Sequence, residues 1–147
     1  IGIVIVGEGD DGRYYILGDW SCNKSPEGWA RQAINAYHNF QADMIVAETN
    51  YGGAMVEAVI RAAGFDGRFK EVKASRGKHV RAEPISALYE QGKVSHAGEF
   101  DDLEDELCAF TTKGFIGDGS PDKGDALVWG MTELSGADIA EPSIRGL

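Results

Sequence analysis

A short apolar run followed by an acid and a pair of glycines, at residues 42–53, constrains the fold of this chain more than any other feature. Met44 to Ala47 are typical of a strand buried on both faces, and Gly52-Gly53 provides a turn before an apolar stretch of helical character. The carboxyl end of such a strand opens into the crevice where open α/β sheets bind their ligands. Glu48 lies at that edge and is therefore a candidate functional residue.

Glu48 also has an ordinary interpretation, as a solvated acid that the dipole of the following helix favours. Thr49 and Asn50 would serve better than a glutamate as helix cap or turn former. The functional interpretation is therefore favoured, but it requires partner residues from other parts of the chain.

Length and composition indicate one domain. The chain has 147 residues, of which 43% are hydrophobic, which suffices for one buried core. No apolar run has the length of a membrane span and no signal segment is visible, so we predict no membrane association and a cytoplasmic location. The start, Ile-Gly-Ile-Val-Ile-Val, indicates a piece of a longer polypeptide.

Charge is distributed unevenly. A net charge of −10 argues against a general electrostatic attraction to nucleic acid. Residues 68–81 nevertheless contain six of the fourteen basic residues, whereas residues 99–106 contain six acids and no base. We interpret the acidic run as the solvated face of a helix, and the basic run as either a solvated loop or a binding surface.

Periodicity and turn residues predict alternating strands and helices. A hairpin should be followed by a helix capped at Ser25-Pro26, and a right-handed strand–helix–strand unit should place residues 69–72 parallel to the first central strand. The later predictions are a helix at 81–91 with Pro84 in its first turn, an edge strand at 94–96, a helix with Leu103, Leu107 and Phe110 on its apolar face, a loop at 111–123 and a last helix at 125–134. The predicted buried face of the helix after the glycine pair comprises Met55, Val56, Val59, Ile60 and Ala63.

Two aspartates flank the start of the last predicted helix. Asp122 suits the N-cap position, and Asp125 either complements the helix dipole or faces inward as a ligand. Hard divalent cations bind carboxylate oxygens, and Mg²⁺ uses a few of them together with water and substrate phosphate. If Asp125 and Glu48 converge beside the basic loop, they favour metal-assisted phosphodiester hydrolysis. No phosphate-binding loop of the P-loop type is present.

Seven short motifs follow one another along the chain: WA at 29–30, AETNYGG at 47–53, KASRGK at 73–78, RAEP at 81–84, LYEQGKVSH at 88–96, LEDEL at 103–107 and SPDKGDALVW at 120–129. These motifs, in this order, resemble the C-terminal nuclease domain of the large terminase subunit of tailed bacteriophages. The resemblance implies an α/β, RNase H-like mixed β-sheet flanked by α-helices, over residues 1–136, with a C-terminal tail at 137–147. It also implies an endonuclease that cuts concatemeric double-stranded DNA with Mg²⁺ or Mn²⁺ in a two-metal site.

The resemblance also implies roles for individual residues. Glu48 matches the family's second metal-binding acid and Asp125 the third, with Asp122 as an adjacent catalytic candidate. The family's first metal-binding Asp belongs to a first strand that would precede Ile1, so this chain alone is expected to cut DNA poorly or not at all. Asp19 follows the hairpin and is expected near the site, without being that first ligand.

The basic loop supplies the predicted DNA contacts. Lys73, Arg76, Lys78 and Arg81 are candidates for binding the phosphate backbone without sequence preference. The resemblance further implies an upstream ATPase domain in the same polypeptide, and the portal and the small terminase subunit as partners. Two alternatives stay open: a non-catalytic RNase H-like module of the packaging motor that binds DNA or protein, and a dimeric resolvase- or integrase-like nuclease.

Overall fold

The computed structural model describes residues 1–49, 53–74, 77–111 and 114–136. The strands in this part of the chain are β1 (Val4–Glu8), β2 (Tyr14–Asp19), β3 (Met44–Glu48), β4 (Arg68–Val72), β5 (Val94–His96), β6 (Phe110–Thr111) and β7 (Gly114–Phe115). The helices are α1 (Pro26–Asn39), α2 (Gly53–Ala62), α3 (Lys78–Glu90), α4 (Asp101–Cys108) and α5 (Asp122–Ser135). The predicted α/β class is confirmed.

The first sheet has the order β1-β2-β5. β1 and β2 form the predicted antiparallel hairpin, whose turn contains Gly12 at φ 76°, a conformation that glycine adopts without steric cost. β5 pairs in parallel with β2 and lies at the edge of this sheet, as predicted. Parallel and antiparallel pairs therefore occur in one sheet, which makes it mixed.

The second sheet is the pair β3-β4, which α2 connects. The two strands are parallel and in register from Met44 opposite Arg68 to Glu48 opposite Val72, so the predicted strand–helix–strand unit is confirmed. Within the described ranges, β1 pairs only with β2 and β3 only with β4. The described strands therefore form three sheets, the third being the pair β6-β7, and α5 packs against both β1 and β3.

Two apolar clusters stabilise these layers. The larger one lies between the first sheet and helices α3, α4 and α5, and its buried members are Ile16, Ile85, Leu103, Leu127, Val128 and Met131. The smaller cluster joins α1 and α2 to the second sheet through Ala30, Ile60 and Phe65. α5 is thus anchored by Leu127, Val128 and Met131, which fixes the direction of its remaining side chains.

Helix starts were predicted with mixed success. α1 begins as predicted, with the Ser25 hydroxyl accepting a hydrogen bond from the Gly28 amide at 3.3 Å. α5 begins three residues earlier than predicted, so Asp122 is its first residue and Pro121 occupies the N-cap position. The prediction of Asp122 as the cap is therefore wrong.

Three further predictions of local structure are wrong. α3 begins at Lys78, which places Pro84 inside the helix, where the ring removes one hydrogen bond to the preceding turn. Phe110 belongs to β6, where it pairs with Phe115 of β7, so the predicted loop contains a strand. Met55 is 66% exposed, because α2 covers the second sheet with Val56, Val59 and Ile60.

No helix within the described ranges combines the length and the apolar character needed to cross a membrane. The tail at 137–147 lies outside the described residues.

Candidate functional site

Glu48 is the last residue of β3, at the carboxyl end of the parallel pair. The amide of the next residue, Thr49, donates to the carbonyl of Val72 at 3.0 Å and so continues the pairing beyond the strand end. The carboxylate Oε2 of Glu48 accepts a hydrogen bond from the indole Nε1 of Trp129 on α5 at 3.1 Å. Both the backbone and the carboxylate of Glu48 are therefore held in place.

Asp125 lies in the first turn of α5 and is only 8% exposed. Lys78 of α3 donates from Nζ to Asp125 Oδ2 at 2.5 Å, and Arg81 Nη2 lies 3.8 Å from Oδ1. The N-terminal end of a helix dipole also favours a negative charge at this position. The inward orientation that the sequence left open is thus observed.

Glu48 and Asp125 lie on the same side of the molecule, although 77 residues separate them in sequence. We call the side that carries these two acids the carboxylate rim. Trp129, which binds Glu48, follows Asp125 by one helical turn and shares its face of α5. The two carboxylates are close enough for the charge of Glu48 to act on the ionisation of Asp125. A geometry with the two acids on opposite sides of the molecule is therefore excluded.

The charge of Asp125 is incompletely compensated. Burial raises the pKa of this carboxyl and the negative charge of Glu48 adds to the increase, whereas Lys78 and Arg81 oppose it. The pKa remains raised despite the close ion pair with Lys78, because burial outweighs the attraction of a half-exposed ammonium group. Additional positive charge near Asp125 would stabilise the ionised form of its carboxyl group.

Arg81 of α3 contacts both Asp125 and Trp129. Its guanidinium carbon lies 4.9 Å from the centroid of the Trp129 ring, and the residue is only 6% exposed. A guanidinium over an indole face is a favourable cation–π arrangement, especially when both groups are shielded from water. The prediction of Arg81 as a contact to the DNA backbone does not fit this burial, because its charge faces Asp125 and Trp129.

The other predicted residues have different surroundings. Lys73 is exposed, with its Nζ 3.8 Å from a Glu71 carboxylate oxygen, and Arg76 lies outside the described residues. Asp122 is exposed, accepts a hydrogen bond from the Ser120 hydroxyl at 2.7 Å and lines a surface pocket with Ile1 and Cys22.

Asp19 is held in an ion pair with Lys123 of α5. Its Oδ2 accepts from Lys123 Nζ at 2.9 Å, and its Oδ1 accepts from the Ser21 amide at 3.1 Å. These hydrogen bonds satisfy the carboxylate where the hairpin meets α5.

Sequence reasoning missed Trp129 and the inward role of Arg81. Their contacts join β3, α3 and α5, which lie far apart along the chain. One local signal was present: Trp129 follows Asp125 by four residues on a predicted helix, which puts both side chains on one face.

The donor set suits a hard cation. Among the residues that the structure describes, no group of three or more His, Cys, Asp or Glu side chains is arranged to hold a metal ion. Glu48 and Asp125 nevertheless offer carboxylate oxygens on one rim, beside Lys78 and Arg81, and Mg²⁺ commonly takes one or two protein carboxylates and completes its shell with water and phosphate. The two residues therefore fit such an ion as part of its ligand set.

An apolar cavity of about 370 Å³ lies elsewhere, between α3, α4 and α5. Its polar side is formed by His96, whose ring nitrogens lie 2.7 Å from the Tyr89 hydroxyl and 3.0 Å from a Glu104 oxygen. Neither Glu48 nor Asp125 lines it. This cavity is thus separate from the two carboxylates.

A comparison with models of known protein families shows to which family the chain belongs. The model of the terminase RNaseH-like domain matches residues 1–134. The chain belongs to this family. No curated protein sequence matches this terminase RNaseH-like domain significantly.

A solved structure agrees in fold. The crystal structure of the large terminase nuclease from the thermophilic phage G20c with bound cobalt is similar to this domain with a TM-score of 0.61 and 18% sequence identity, covering 90% of this chain and 81% of that chain. The RNase H-like fold of the terminase nucleases, which the motifs implied, is therefore confirmed.

Proposed function

We propose that this terminase RNaseH-like domain is a divalent-metal-dependent endonuclease that cleaves concatemeric double-stranded DNA as part of a large terminase subunit. The observation that carries the proposal is the convergence of Glu48 from β3 and Asp125 from α5 on one rim, within a chain of this family. The cobalt bound to the similar phage nuclease is consistent with a site for divalent cations.

Glu48 and Asp125 would hold Mg²⁺ or Mn²⁺, together with ligands that these two residues do not supply. The bound ions would provide Lewis acidity at a phosphodiester, as in two-metal nucleases. Trp129 orients the Glu48 carboxylate, and Arg81 balances part of the buried negative charge of Asp125. Asp122 stays a weaker candidate, because it is exposed and bonded to Ser120.

DNA would approach along the exposed lysines beside this rim. The side chain of Lys73 is 73% exposed and that of Lys78 is 44% exposed, so both can contact phosphates without rearrangement of the core. Contacts of this kind are independent of sequence and sensitive to salt. An ATPase domain in the same polypeptide, the portal and the small terminase subunit are the partners that this function implies, in the cytoplasm of the infected bacterium.

Plasmid nicking in Mn²⁺ tests the proposal, with the polypeptide in which this chain naturally occurs. Glu48→Ala and Asp125→Ala are expected to lower the cleavage rate by at least about 100-fold, because each removes a metal ligand. Glu57→Ala and Asp105→Ala are matched controls, since both acids lie on the surface of other helices and should leave the rate unchanged. Full activity in Glu48→Ala would refute the assignment.

A metal titration separates this function from that of a non-catalytic packaging module. A ligand that binds only the folded state at about 100 times its Kd stabilises the fold by about 2.7 kcal/mol. For a domain of this size, that corresponds to an increase in Tm of roughly 5–10 °C. DNA binding without any Mn²⁺-dependent increase in Tm would favour the non-catalytic module, and dimerisation would favour a resolvase-like nuclease.

A further inference from the structure

Trp129 is the only indole among the described residues that donates a hydrogen bond to a proposed metal ligand. Its Nε1 lies 3.1 Å from Oε2 of Glu48. An indole nitrogen only donates, so Glu48 Oε2 is the acceptor in this contact. The Trp129 ring that carries the donor is partly buried.

Arg81 packs against the face of the Trp129 indole ring. The guanidinium lies against the ring face, and its Nη2 lies 3.8 Å from Asp125 Oδ1. A cation over the ring withdraws electron density from the indole and strengthens its N–H as a donor. Trp129 contacts Glu48, Arg81 contacts Asp125, and the two side chains stack on each other. This stacked pair therefore connects the two acids.

We propose that Trp129, stacked on Arg81, is a positioning residue that orients the Glu48 carboxylate for cation binding. This inference rests on the proposed function, because Glu48 must be a metal ligand for its orientation to matter. Groups that hydrogen-bond metal ligands commonly change metal affinity or activity by about 10–100-fold when they are replaced. Trp129 therefore serves the site without touching the cation or the DNA.

The contact is first tested without metal. The chain has three tryptophans, so replacing Trp20 and Trp29 by Phe leaves Trp129 as the only indole emitter. In this background, Glu48→Gln is expected to shift the emission maximum of Trp129, because a charged acceptor becomes a neutral one. Glu57→Gln on α2 is the matched control and should leave the spectrum unchanged. An unchanged spectrum in Glu48→Gln would overturn the inference.

The consequence is tested by Mn²⁺-dependent melting of the polypeptide in which this chain naturally occurs. Trp129→Phe keeps an aromatic face for Arg81 but removes the donor, so we expect about 10-fold weaker Mn²⁺ binding. Trp29→Phe, in the smaller apolar cluster, is the matched control and should bind Mn²⁺ as the wild type does. The Tm measured without metal shows whether a variant is merely less stable.

The outcomes separate this inference from the function on which it rests. If Asp125→Ala abolishes the Mn²⁺ response but Trp129→Phe leaves it at the wild-type level, the positioning role is wrong and the metal site stands. If the wild type shows no Mn²⁺ response, the proposed metal site is wrong, and the positioning role with it. Weaker binding in Trp129→Phe, with the Tm in the absence of metal equal to that of Trp29→Phe, supports the inference.

Discussion

Gly130 allows α5 to pack closely on β1, and its replacement by alanine is the most informative perturbation of the fold. A Cβ atom at this position would lie 2.9 Å from Cγ2 of Val6, closer than real Cβ atoms approach other carbon atoms. Val6 lies on β1, is β-branched and has few alternative rotamers, so it cannot readily move aside. α5 would have to shift away from the first sheet.

Two opposing effects decide whether Gly130→Ala raises or lowers the free energy of unfolding. Gly to Ala in a helix interior stabilises by about 0.8–1 kcal/mol, because the alanine backbone loses less entropy on folding. Overpacking at a fixed contact costs typically about 1–3 kcal/mol. We therefore expect Gly130→Ala to lower the free energy of unfolding by about 1 kcal/mol, which corresponds to a Tm decrease of roughly 2–5 °C.

A double-mutant cycle isolates the contact. Val6→Ala removes Cγ1 and Cγ2 and leaves Cβ of residue 6 at 3.9 Å from the new methyl group, an ordinary van der Waals distance. In the Val6→Ala background, Gly130→Ala should therefore stabilise the protein by up to about 1 kcal/mol, so that its effect changes sign. Urea unfolding at equilibrium measures all four free energies. The same sign in both backgrounds would refute the reasoning.

Further variants probe the ion pair, the core and the basic surface. Burial raises the pKa of Asp19, but hydrogen bonds from Ser21 and Lys123 prevail and hold it below 3.8. The wild type should therefore exceed Asp19→Asn in stability above pH 3.8, and urea unfolding should show this advantage disappear as the pH falls through the lower folded-state pKa. Leu127→Ala, at a fully buried position, should cost about 2–5 kcal/mol in the same assay, and a loss below 1 kcal/mol would contradict the assignment of the core. Lys73→Met should leave stability unchanged and reduce the salt dependence of DNA binding by a slope of about 0.9, measured by fluorescence anisotropy.

Local sequence signals predicted most of the secondary structure. The Ser25-Pro26 pair predicted the start of α1, and the apolar run ending at Glu48 predicted β3. These predictions succeeded because caps, turns and periodicity depend on hydrogen bonds and side chains within a few residues.

Predictions that depended on distant partners were less successful. Phe110 fitted a helical pattern with Leu103 and Leu107, but pairing with Phe115 draws it into a strand. Met55 fitted the apolar face of α2, but it is 66% exposed in the part of the chain that the structure describes. Short-range periodicity identifies an amphipathic face without showing how far the neighbouring element extends over it.

For the candidate site, the amino-acid order was enough to select Glu48 and Asp125 and to relate them to a family. It contained no indication that Trp129 binds Glu48 across 81 residues, or that Arg81 turns inward. Such contacts depend on the packing of α5, through Leu127, Val128 and Met131, against two separate sheets. Strand ends and helix starts follow from neighbouring residues, whereas the distance between two carboxylates follows from the buried side chains that hold their supporting elements together.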